Sequence, residues 1–147
     1  MLFTHYGCKV NQYETNAMIE KFINANYQLV DFEKEADIYV INTCSVTNMS
    51  DRKSRQIIRR TKQINPDSIL VVTGCYAQVS ANELKNIEEI DLIIGNTEKK
   101  DIVSIVEKKL KEKIVMTDVN KETEYAEFGT ITYTDKTRAE IKIQDRL

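Results

Sequence analysis

The sequence predicts a doubly wound α/β domain, and three observations carry that expectation. Short apolar runs alternate along the chain with longer stretches of helical spacing, the signature of βαβ units. The short runs around Val71 and Ile93 are continuously apolar, as in parallel strands covered on both faces. Ile102, Val103, Val106 and Leu110 recur at helical spacing, with lysines and glutamates on the other side.

The elements follow in order. Residues 2–6 form the first strand-like run, and a helix follows near 12–25, where Asn11 and Glu14 have capping-box spacing. Tyr-Gln-Leu-Val-Asp at 27–31 reads as a second strand and 37–42 as a third. The next helix occupies 49–64 and stops before Pro66, the single proline. After the strand at 69–73, Ser80 and Glu83 repeat the capping-box spacing ahead of a helix at 81–88. The strand at 91–94 leads through a Gly95-Asn96 turn to a helix at 98–112 and a last strand at 114–118. Residues 1–118 thus read as one domain with a mostly parallel sheet of five or six strands. Residues 119–129 are polar and acidic, a linker by composition. Residues 130–134 and 138–144 alternate like strands, with Ala139, Ile141 and Ile143 on one face, as the first strand of a further domain.

Among the common strand orders, the flavodoxin-like 2-1-3-4-5 has a specific consequence when the runs are counted in sequence. It makes 2–6, 37–42 and 69–73 immediate neighbours, and each of these three runs is followed by a cysteine: Cys8, Cys44 and Cys75. Ligand sites of open α/β sheets lie at the carboxyl ends of strands. Adjacent strands are about 4.8 Å apart, so the three thiols would span roughly 10 Å of one edge. Crossovers in such a sheet are right-handed.

Composition bounds the function. The 147 residues are 41% hydrophobic and 30% charged, enough for a core and a well-solvated surface. A formal net charge of −2 excludes a chain that binds nucleic acid through its overall charge. The N-terminus has no basic region followed by an apolar stretch, and no apolar run approaches the length of a membrane span, so a cytoplasmic protein is expected. Cytosolic thiols stay reduced, and an odd number of cysteines defeats complete internal pairing. Only four glycines are present, too few for a standard Walker loop or Gly-x-Gly-x-x-Gly turn. The lone histidine, His5, has no Ser-His-Asp or Cys-His context.

The spacing of the cysteines is unlike a zinc ribbon, and no Cys-x-x-Cys occurs. Thiolate-only ligation favours an iron–sulfur cluster over a hard cation. From spacing alone this stands beside a plainer reading, three small residues packing a sheet edge, since cysteine is among the most buried residue types.

The local contexts add a resemblance. Gly-Cys-Lys-Val-Asn-Gln-Tyr-Glu at 7–14, Asn-Thr-Cys-Ser-Val at 42–46 and Thr-Gly-Cys-Tyr-Ala at 73–77 resemble, in order, the three cysteine signatures of the methylthiotransferase N-terminal domain. The likeness extends over about residues 1–145. It implies that Cys8, Cys44 and Cys75 hold an auxiliary [4Fe–4S] cluster whose open iron carries the sulfur or methylthio unit for the product. It implies, for the full-length enzyme, a second [4Fe–4S] cluster, S-adenosylmethionine and a tRNA substrate. It also implies a radical domain of the same protein packing on this one. The Lys-Val-Asn-Gln-Tyr-Glu wording is most similar to the branch acting on N6-threonylcarbamoyladenosine 3′ to the anticodon. The family continues past a position matching Asp145 into a Cys-x3-Cys-x2-Cys motif. Here Arg146 and Leu147 follow instead, as two appended residues after a truncation. No catalytic residue and no turnover are therefore expected of this fragment. Alternatives from other classes are a non-catalytic flavodoxin-like binding module and a thiol redox sensor.

Three further features have two readings each. Gly7 and Gly74 serve close approach of backbone to a cluster or a tight turn, which need not compete. Asn11 caps a helix in preference to facing a cluster sulfur, and Asn42 and Thr43 are equally ambiguous. Arg52, Lys53, Arg55, Arg59, Arg60 and Lys62 face one acid, Asp51, in the second helix. A solvated face is favoured over a tRNA phosphate contact, because the net charge is negative and aromatics are not interleaved.

Overall fold

The computed structural model describes residues 1–5, 9–31, 34–44, 48–108 and 114–115. The element order is β1 (Leu2–His5), α1 (Lys9–Asn24), β2 (Ile38–Thr43), α2 (Asn48–Ile64), β3 (Ile69–Gly74), α3 (Cys75–Val79) and α4 (Ala81–Lys85). It continues with β4 (Leu92–Ile94), a 3-10 helix (Thr97–Asp101), α5 (Ile102–Glu107) and β5 (Ile114–Val115). The sheet is parallel throughout, in the order β1-β2-β3-β4-β5.

This is the expected α/β class, with one strand missing. Residues 27–31 are not a strand. They do lie along the outer side of β1: the Met1 amine donates to Gln28 O at 2.9 Å, and Val30 N donates to Met1 O at 2.9 Å. Those two bonds around Leu29 are one bridge of a parallel ladder. The segment therefore occupies the expected place beside the first strand, but the described bonds amount to one bridge, less than a ladder.

Side chains alternate across the sheet as the pleat requires. Tyr39, Ile41, Leu70, Val72 and Ile93 pack with Ile58 of α2, Tyr76 and Ala77 of α3 and Leu84 of α4. Ile38, Val40, Val71, Leu92 and Ile94 pack on the other face with Met18 and Phe22 of α1 and Ile102, Ile105 and Val106 of α5. Each face is closed by its own helices, which makes the domain doubly wound.

Helix ends differ from the capping-box reading. α1 starts at Lys9, so Asn11 and Glu14 lie inside it and their side chains reach other elements. Ser80 makes no side-chain cap. Its carbonyl accepts from Glu83 N at 3.1 Å and Leu84 N at 3.0 Å, which is enough to start the single turn of α4. The helix expected over 98–112 divides into the 3-10 helix and α5, and residues 109–113 lie outside the described ones. α1 ends in a Schellman motif. Asn26 is left-handed at φ 66, Tyr27 N donates to Phe22 O and Asn26 N to Ile23 O, and the Phe22 and Tyr27 rings meet edge-on at 5.2 Å. Expected elements at 119–147 also fall outside the described residues. No described helix is long and apolar enough to cross a membrane.

One ionic contact spans the α1/α5 face. Lys99 of the 3-10 helix, fully buried, bonds Glu14 of α1 through Nζ and Oε2. Removing one partner of a buried pair strands the other charge, whereas removing both does not. Lys99→Met is expected to lower unfolding free energy by about 3–5 kcal/mol. Lys99→Met with Glu14→Gln is expected to regain most of that loss, as read by urea denaturation.

Candidate metal centre

The β2–β3 register pairs Thr43 with Gly74. The next residue on each strand is a cysteine, so Cys44 and Cys75 leave neighbouring strands side by side at the carboxyl edge. Neighbouring strands are about 4.8 Å apart. Cys44 is buried at 2% exposure, and Cys75 is half-buried as the first residue of α3. The two are not bonded to each other. β1 enters the same edge with His5 opposite Asn42. Cys8 itself lies outside the described residues, between β1 and the first residue of α1. Among the described residues no three His, Cys, Asp or Glu side chains gather at one point.

The backbone entering Cys44 is held from three elements. Asn11 Nδ2 of α1 donates to Thr43 O at 2.9 Å. Thr43 Oγ1 donates to Thr73 O of β3 at 2.6 Å and accepts from Ala77 N of α3 at 3.2 Å. Asn42 points to the opposite face, as its place in the strand demands. Its Nδ2 donates to Asn11 O at 3.0 Å and Thr15 Oγ1 at 3.1 Å, and Thr15 Oγ1 donates to Asn11 O at 2.7 Å. All five side chains are buried, so this polar lattice works in a low local dielectric, where satisfied bonds are strong. Asn42 Oδ1 and Thr73 Oγ1 are buried at the same edge with no partner among the described residues.

Gly74 has a specific reason to be glycine. Its φ is +102, and a Cβ there would sit 2.1 Å from Thr43 O and 2.7 Å from Asn42 Oδ1. Positive φ and close strand approach act together, so the two readings of this glycine are one. Gly7 lies outside the described residues.

α1 and α2 both begin shortly after a cysteine position, at Lys9 and Asn48, and unsatisfied N–H groups at helix starts favour a nearby anion. Beside Cys75, Tyr76 is buried and its hydroxyl accepts from Arg55 Nε at 3.1 Å and Nη2 at 2.9 Å. Arg55 Nη2 also bonds Glu83 Oε2 at 2.8 Å. The hydroxyl and that carboxylate hold the Arg55 guanidinium above its ordinary pKa. Arg55 therefore ties α2 to α3 and α4. Two small residues at matching strand ends, a cradle that admits no Cβ and a soft donor set fit a thiolate-bound cluster.

Asn11 lies inside α1 and is not its cap; it bonds Thr43 O, and Asn42 bonds back to Asn11 O. Thr15 and Thr73 drew no notice in the sequence, because a threonine within an apolar pattern carries no sign of its partner. Lys99 sits in Glu-Lys-Lys-Asp, which reads as a solvated run.

Fold and edge define a class: a doubly wound α/β domain that delivers cysteines to the carboxyl ends of adjacent parallel strands. The chain belongs to the uncharacterized protein family UPF0004, whose model matches residues 1–95. It is 43% identical over 146 residues to the threonylcarbamoyladenosine tRNA methylthiotransferase MtaB of Aquifex aeolicus, covering 97% of this chain and 36% of that protein. The protein of the same name from Bacillus subtilis is also 43% identical over 146 residues, with 97% and 32% covered. A tRNA-2-methylthio-N(6)-dimethylallyladenosine synthase of Baumannia cicadellinicola is 38% identical over 95 residues, covering 61% of this chain and 21% of that protein. The chain thus spans about a third of the length of the first two relatives.

Gly74→Ala is expected to cost about 3 kcal/mol or more, from the backbone conformation and the clash together. Asn42→Ala, which strips donors from Asn11 O and Thr15 Oγ1, is expected to cost about 1–3 kcal/mol. Urea denaturation followed by circular dichroism measures both.

Proposed function

We propose that this chain is the N-terminal domain of a radical S-adenosylmethionine tRNA methylthiotransferase and binds its auxiliary [4Fe–4S] cluster through Cys8, Cys44 and Cys75. The observation that carries the reading is the Thr43–Gly74 register, which supports a shared site for Cys44 and Cys75 at the edge that β1 also enters. Residues 1–118 are the cluster domain, and 119–147 are the link to the radical domain, which packs on this one. The substrate of the whole protein is tRNA carrying N6-threonylcarbamoyladenosine 3′ to the anticodon, in keeping with the names of the first two relatives.

A four-iron cluster with three protein ligands keeps one iron open to a sulfur donor. The chain's own work is to hold thiolates ready. The Asn11, Thr73 and Ala77 contacts fix the end of β2 at Thr43, and Gly74 keeps the two strand ends close. With three cysteines in all, the chain has none left for the second cluster, so turnover needs the radical domain.

The adjacency of Cys44 and Cys75 also favours a second reading, a reversible disulfide switch, since neighbouring strand ends fall within disulfide reach. Anaerobic reconstitution with iron and sulfide separates the two. The cluster reading expects about four irons and four sulfides per chain, with a broad visible absorbance that Cys8→Ala, Cys44→Ala or Cys75→Ala each abolishes. A colourless chain that binds no iron, yet forms a Cys44–Cys75 disulfide reversibly, would establish the switch instead.

A further inference from the structure

We infer that the solvent face of α2 is a docking surface for the phosphate backbone of RNA, with Arg52, Lys53 and Arg59 as its principal contacts. This rests on the proposed reading only in taking the RNA to be tRNA.

The sequence shows six bases in α2 and favours a solvated face. The structure divides those six by their partners. α2 buries Ser54, Ile58 and Thr61 against the sheet. Arg55 and Lys62 lie at the flanks and are taken up within the domain. Arg55 bonds Tyr76 and Glu83, and Lys62 bonds Ser68 O and, at 2.8 Å, Asp91 Oδ2. Those acids are thereby occupied. Arg52, Lys53, Gln56, Arg59, Arg60 and Gln63 are all exposed. From Arg52 to Gln63 the helix has no acidic residue. Arg52, Lys53 and Arg59 have no carboxylate partner among the described residues.

A merely solvated helix interleaves both signs, which limits self-repulsion and adds pairs along the surface. This face repels itself along about 17 Å of helix, at ~1.5 Å per residue. It does so on a chain with a net charge of −2, so the positive charge is concentrated and not general. Cationic and amide side chains in a line fit phosphate oxygens, which accept from arginine, lysine and glutamine alike. The face also has a direction. α2 starts at Asn48, just beyond Cys44, so a strand lying along it runs toward the cysteine edge. The absence of aromatics on it marks backbone contact, not base stacking.

The test is fluorescence anisotropy of a labelled tRNA transcript titrated with the 147-residue chain at several salt concentrations. Arg52→Gln, Lys53→Gln and Arg59→Gln are combined in one variant. Lys34→Gln, Lys100→Gln and Lys108→Gln, all exposed positions outside α2, are combined in a control that removes the same charge. The α2 variant is expected to raise Kd at least tenfold and to flatten the salt dependence by about two in log–log slope, at ~0.7–0.9 per phosphate contact. The control is expected to change Kd by less than about threefold, the margin left for nonspecific charge. Equal losses in both variants, or a parent chain that does not bind tRNA at low salt, overturn the proposal. Iron and sulfide content of the same preparations reports separately on the cluster, so either reading can fail without the other. Circular dichroism of both variants, expected to match the parent, excludes unfolding as the cause of a loss.

Discussion

The end of β2 at Thr43 is the point that three other elements hold in place. Its carbonyl is claimed by α1, its hydroxyl by β3 and α3, and its strand partner is the one glycine that lets β2 and β3 end close together. A parallel ladder by itself sets register to within the pleat, and the slip of one residue would exchange every buried side chain for its opposite. Here that slip is opposed twice. Asn42 and Thr43 are consecutive polar residues that must face opposite layers, and each finds partners only in its own layer. The positions of Cys44 and Cys75 are consequences of that lock.

Polar groups buried at a sheet edge are usually a liability, since an unpaired donor or acceptor in a low dielectric is costly. This domain concentrates them there nonetheless: Asn11, Thr15, Asn42, Thr43 and Thr73 are all buried around one corner. An apolar corner would be easier to stabilise. A hydrogen-bonded one holds backbone atoms to a few tenths of an ångström, which a set of ligands from separate strands requires. The Lys99–Glu14 pair extends the same strategy along α1, fixing the helix that begins next to Cys8 against the far end of the sheet.

The charge distribution follows the layers. α1 and α5 cover one face of the sheet; Glu14 of α1 pairs with Lys99 of the 3-10 helix, and Tyr27, just past α1, bonds Glu107 of α5. α2 covers the other, and from Arg52 to Gln63 it carries bases and no acid. Arg55 and Lys62 are paired within the domain, and Arg52, Lys53 and Arg59 have no carboxylate partner among the described residues.

The class of fold was legible in the residues because apolar patterning is a local property: the short apolar runs around Val71 and Ile93, alternating with stretches of helical spacing, are what strands buried on both faces require. The nomination of the cysteines was local as well, since each follows such a run. What those residues do not contain is their partners. Asn11 and Glu14 have the spacing of a helix cap, and only the packed chain turns one toward Thr43 and the other toward Lys99, 85 positions away. The segment at 27–31 has the look of a strand and lacks a full ladder beside β1. Gly74 is required by an oxygen on the adjacent strand, which no inspection of its neighbours in sequence reveals. Elements and their order were thus settled by the chain's own pattern of burial. Contacts between elements, and with them the shape of the cysteine edge, were decided by tertiary structure, because a hydrogen bond across the fold depends on two residues that the sequence keeps apart.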